Sequence, residues 1–280
     1  MITLSRLMIL QLILVGAAAG TFGALLGIGG GIIIMPFFLQ IGILTPAAHA
    51  AGLILSSLTG ISASANNLKI GNLKGRTVFG FIPGAIIGVM LGASFQIIFK
   101  LLFPGSNYTL VFKLLFILML LYSLYRMAVK LFQTVYAGRG KYPESRNHPV
   151  SRSIKVLITL PGGFLAGVLG IGGGAYYVPM LRSLGRLAMK ESVSVSSALI
   201  AVSLPVGALL AQLFLLINGQ ADLSRQSLIL SLFTGLGILA GSYAGARLLR
   251  KIPSIIVAIL FVVVLLYNII RLCFSLGANL

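Results

Sequence analysis

From Leu7 to Leu68 the chain carries no Lys, Arg, Asp or Glu, and five further charge-free stretches follow it. These are Thr77 to Phe99, Val156 to Leu181, Ser192 to Ala221, Gln226 to Ala246 and Ile252 to Ile270. A membrane-spanning helix needs about 20 mostly apolar residues, and each of these runs is near that length or beyond it. Thr109 to Leu131 reads as one more span, with Lys113, Arg126 and Lys130 reaching towards its ends. Only 9% of the residues are charged, where a soluble domain carries about a quarter. No ten-residue alternation suggests a barrel, so the fold class is all-α, a polytopic integral membrane helix bundle.

The first apolar run imitates a secretory leader, with Arg6 ahead of it and small residues at Ala17 to Ala19. It continues past those alanines into a motif that recurs later, so it is read as part of the fold. Leu26-Gly27-Ile28-Gly29-Gly30-Gly31 returns as Leu169-Gly170-Ile171-Gly172-Gly173-Gly174, with Pro36 and Pro179 five residues after the two runs. Gly20 and Gly163 precede them at one offset, and the pairs Ser56-Ser57 and Ser196-Ser197 follow. Each half then has a ladder of glycines four residues apart: Gly84, Gly88 and Gly92, and Gly237, Gly241 and Gly245. Features repeated in one order indicate duplication: a first membrane repeat over 1–137, a cytoplasmic linker over 138–151, and a second repeat over 152–280. The ladders are expected to let neighbouring backbones pack closely.

Four glycines in five residues and a nearby proline are expected to break each repeat's first segment at membrane depth. Such a break survives only where protein or a water-filled cavity satisfies the backbone. The second such segment, Val156 to Leu181, is 26 residues, roughly 39 Å as helix. That length fits one broken crossing or a re-entrant hairpin. With the basic linker inside, crossing puts 13 of the 21 Lys and Arg inside. Turning back puts 16 inside, leaving Arg6, Lys100, Lys113, Arg225 and Arg271 outside. The positive-inside bias therefore favours turning back, which makes the repeats inverted.

The acids are Glu144, Glu191 and Asp222, all expected in loops or at helix ends. No carboxylate stands deep in the membrane for cation binding or proton relay. His49 and His148 are in no metal-ligand spacing, and no Ser–His–acid set is visible, so neither an enzyme nor a cofactor is expected. Cys273 is the sole cysteine, and no ATP-binding P-loop appears. The net charge of +18 lies between the apolar runs, where it orients the chain in a membrane rather than serving nucleic acid.

An anion site needs no buried charge. The helices restarting at Ile32 and Ala175 would aim unpaired N–H groups and the positive end of the dipole at a solute. Gly27, Gly29, Gly30 and Gly31, with Gly170, Gly172, Gly173 and Gly174, would allow close approach to the backbone. Pro36 and Pro179 belong to the same motif. Ser56, Ser57, Ser196, Ser197 and Tyr176 are candidate hydroxyl donors, with Asn66 and Asn67 as further polar candidates that also suit a helix end. His49 is placed in an external loop and outside the site.

These motifs, in both halves, resemble the sulfite exporter TauE/SafE family of membrane permeases over nearly the whole chain. The resemblance implies a multi-pass protein of a prokaryotic cytoplasmic membrane that moves sulfite, sulfonates or sulfoacetate. The basic run Arg182, Arg186 and Lys190 departs from the family pattern just after the second motif. The expected function is secondary transport of a small anion by alternating access between the repeats. The alternatives are an anion channel and a non-transporting scaffold. Expected partners are the anion and membrane lipid, with homo-oligomerisation left open.

Overall fold

The computed structural model describes residues 6–73, 75–102, 106–136 and 150–277. The linker lies almost entirely outside the described residues, as do Glu144 and His148. Eleven helices account for nearly all of the described chain. The first half holds α1 (Arg6–Leu26), α2 (Gly31–Gln40), α3 (Thr45–Lys69), a short α4 (Gly75–Phe79), α5 (Ile82–Leu102) and α6 (Ser106–Tyr136). The second holds α7 (Arg152–Leu169), α8 (Gly174–Ser183), α9 (Met189–Ile217), α10 (Ala221–Lys251) and α11 (Ser254–Gly277). Among the described helices, α1, α5, α7, α9, α10 and α11 are long and apolar enough to cross a membrane. Their outer faces expose leucine, isoleucine and valine, including Leu10, Leu14, Ile87, Leu209, Leu232, Leu236, Ile259 and Val263. So broad an apolar surface is stable against lipid and not against water.

Local signals set the helix ends. Ser151 caps α7 by accepting from Ile154 N at 3.4 Å. At its other end Gly170 takes a left-handed φ of 68° and its N–H bonds Ala166 O, a common glycine stop. Pro36 and Pro179 lie inside α2 and α8. Neither can donate to the carbonyl four residues back, Ile32 O or Ala175 O, so each short helix is weakened one turn from its start.

The broken segments turn back on themselves. A Cβ added at Gly162 would stand 2.6 Å from Tyr177 Cδ1, and one at Gly173 would stand 2.7 Å from Gly162 O. Were α8 to continue the axis of α7, Gly162 and Tyr177 would be about 22 Å apart. In the first half a Cβ at Gly23 would stand 2.8 Å from Gly30 N, and Ile28 N bonds Gly23 O at 3.1 Å. Each half is therefore a hairpin followed by three long helices. With α7 parallel to α5 and α1 parallel to α10, this fold-back runs the second half inverted relative to the first.

Contacts between the halves come in matched sets. α1 runs parallel along α10, and α7 runs parallel along α5. The glycine ladders form these seams: any Cβ at Gly88 or Gly92 would collide with Leu160 O or Phe164 O, and at Gly241 or Gly245 with Ala17 O or Thr21 O. Helices α3 and α9 cross at the centre, where a Cβ at Gly60 would press on Ala201 N and Ile200. At the periphery Arg126 of α6 donates to Ser183 Oγ of α8 at 2.6 Å, and Arg271 of α11 donates to Gln40 Oε1 of α2. These two arginine contacts occupy equivalent places in the two halves. The helix expected over Thr109 to Leu131 is longer than that at both ends.

Candidate functional site: the meeting of two glycine hairpin tips

The two hairpin tips touch each other. A Cβ on Gly29 would stand 3.3 Å from Gly172 Cα, and one on Gly172 would stand 3.0 Å from Ile28 O. Gly31 faces Ile171, and Gly174 faces Gly27 O and Ile28 across the same junction. Left-handed backbone makes the tips possible: φ is 67° at Gly27, 76° at Gly29, 101° at Gly172 and 65° at Gly173. Both tips, with Ile32, Pro36, Ala175 and Pro179, are buried in this structure.

α3 and α9 flank the junction. Gly31 N donates to Ser56 Oγ at 3.0 Å, and Gly30 N donates to Thr59 Oγ1 at 3.3 Å. Ser196 Oγ donates to Gly27 O at 2.6 Å. The amides expected to be unpaired at the start of α2 are thus held by two hydroxyls from α3. Ser57 and Ser197 face their own helices instead, donating to Leu53 O at 2.8 Å and Val193 O at 3.0 Å. Tyr176 lies to the side, its ring stacked on Tyr122 of α6 at 6.0 Å between centroids. Asn66 donates to Ser62 O one turn back.

Two residues at the junction escape sequence reasoning. Thr59 is three residues after Ser56 and on the same helix face, a spacing that could have found it. His49 is not in a loop. It lies in the second turn of α3 and is 2% exposed, with Nε2 2.8 Å from Gly167 O and its ring against Gly170. Its partner is 118 positions away, so local hydropathy had no means of placing it. The described acids, Glu191 and Asp222, are in the first turns of α9 and α10, as expected.

Inverted halves joined through paired re-entrant hairpins, with apolar outer faces, define a polytopic membrane permease. The chain belongs to the Sulfite exporter TauE/SafE family, whose model matches residues 12–272. It is 26% identical to the probable membrane transporter protein YunE of Bacillus subtilis, over 70% of this chain and 75% of the relative. It is 25% identical to a probable membrane transporter protein of Haemophilus influenzae, over 68% of each. A shorter match at 29% identity links it to the probable membrane transporter protein MamO of Paramagnetospirillum magneticum, over 38% of this chain and 16% of that one. No solved structure matches the chain.

Proposed function

We propose that the protein is a secondary carrier for a small sulfur oxyanion, such as sulfite, a sulfonate or sulfoacetate, in a prokaryotic cytoplasmic membrane. The observation that carries this reading is the contact of the two glycine tips, Gly29 against Gly172, between opposite halves. Helix starts at Gly31 and Gly174 bring two positive dipole ends to one junction. An oxyanion there would displace Thr59 and Ser56 from the amides of Gly30 and Gly31 and exchange its water for those N–H groups and the hydroxyls of Ser56 and Ser196, with no lysine or arginine needed. Family membership supports the substrate class. Burial of the tips supports a carrier over an open pore, because the solute reaches them only when the surrounding helices part.

The test is a flux screen in liposomes with sulfite, sulfoacetate, thiosulfate, sulfate and chloride. Saturable uptake of a sulfur oxyanion, accelerated by unlabelled substrate on the far side, is expected. Flux of chloride alone, or of none of the five, refutes the reading. Unsaturating single-channel currents would assign a pore instead.

A further inference from the structure

We infer a second anion site at the C-terminal end of α3, formed by Ser64, Asn67 and Asn72, that holds the oxyanion before it reaches the hairpin tips. The inference rests on the carrier reading above. Asn67 is fully buried, yet neither its Nδ2 nor its Oδ1 has a hydrogen-bond partner. Ser64, 7% exposed, has a buried Oγ that is also unpartnered, and so does the Nδ2 of Asn72. Buried polar atoms are nearly always hydrogen-bonded, so orphans on neighbouring residues of one helix end call for a polar partner.

The backbone gathers these atoms. Ser64 and Asn67 are three apart on α3 and share a face. The chain then doubles over the helix end, since Asn67 O accepts from Asn72 N at 2.9 Å and from Leu73 N at 3.2 Å. The unpartnered atoms offer up to five hydrogens, from Asn67 Nδ2, Asn72 Nδ2 and the Ser64 hydroxyl, while among them only Asn67 Oδ1 and Ser64 Oγ accept. That excess of donors suits an acceptor-rich guest with three or four oxygens.

In sequence, Lys69, Lys74 and Arg76 neighbour Asn67 and Asn72. Along α3, Asn67 is eleven residues beyond Ser56, about 16 Å, so the two sites are separate. The site is also one-sided. The register that aligns Ser56 with Ser196 carries Ser64 and Asn67 onto Leu204 and Gly207, which offer no side-chain donor.

Calorimetric titration of the purified full-length protein with sulfoacetate, and with sulfite, tests this. Two anions per chain are expected, falling to one in Asn67→Leu. Ser64→Ala should keep both and weaken one at least fivefold. One anion in the wild type, unchanged in both variants, overturns the asparagine site and leaves the tip site standing. One anion that vanishes in Asn67→Leu but survives Gly173→Ala supports the asparagine site and overturns the tips. No binding in the wild type overturns both. Should Asn67→Leu fail to fold, unaltered affinities in Ser64→Ala overturn the proposal.

Discussion

The two hairpin tips share a sequence but not a set of polar partners. At the first, α3 supplies hydroxyls to the amides of Gly30 and Gly31. At the second, the corresponding serine turns the other way: Ser196 Oγ donates to Gly27 O, across the junction, and Gly174 goes without that cap. The second tip instead has His49 of the opposite half bonded to Gly167 O, where the first has Met189 in the equivalent place of α9. Duplication has kept the backbone shape of the tips, while the side chains around them have diverged. Shape is what both tips need in order to meet; chemistry is free to differ.

The sharpest way to break this comparison is topological. With Cys273 removed, single cysteines at Ile41 and Arg186 mark the ends of the two hairpins, and both positions are exposed. Inverted hairpins predict that an impermeant thiol reagent labels Arg186→Cys only from the cytoplasm and Ile41→Cys only from outside. Labelling of both from one side removes the inversion.

Next in size are the tip glycines. Gly173 has φ of 65°, and its Cβ would meet backbone and Ala166 at 2.7 and 2.8 Å. Gly173→Ala should lower transport about a hundredfold, since left-handed strain of roughly 1–2 kcal/mol adds to a clash that cannot relax. Gly30 has an ordinary φ of −64°, and its Cβ would meet side-chain atoms alone, Thr59 Oγ1 at 2.8 Å and Ile34 and Ile238 at 3.4 Å. Gly30→Ala should cost about tenfold, the loss of one buried hydrogen bond worth roughly 1–2 kcal/mol. Equal losses in a liposome flux assay would show that the tips are not distinguished by backbone strain.

The hydroxyls give the smallest effects. Ser56→Ala orphans Gly31 N and should raise the KM for sulfoacetate about tenfold, where Ser196→Ala, which orphans a carbonyl, should raise it about threefold. Ser57→Ala and Ser197→Ala should change it less than about twofold, because those hydroxyls are replaceable links within their own helices. A larger effect from Ser57 than from Ser56 would reverse the assignment of which serine meets the solute.

The architecture was legible for reasons that can be named. Charge-free runs fix the spans, glycine spacing of four fixes the close seams at Gly88 and Gly241, and the lysine and arginine balance favours the fold-back that Gly162 and Tyr177 display. The junction was less legible. Whether Ser56 or Ser57 faces the tip depends on the rotation of α3, and the direction of the Ser196 hydrogen bond depends on how two distant segments meet. His49 was misplaced because a single polar residue near a turn looks solvent-facing until its partner in the other half is known. The linker lies almost entirely outside the described residues.

The parallel seams have a mechanical consequence. α1 is riveted to α10 and α7 to α5, so each rivet fastens one repeat to the other. Neither repeat is therefore a lever arm by itself; the stiff struts are chimeras, each with one helix from either side of the linker. Cutting the chain between residues 137 and 150 should leave the two fragments clasped, and either fragment made alone would present a bare glycine groove with nothing to fill it.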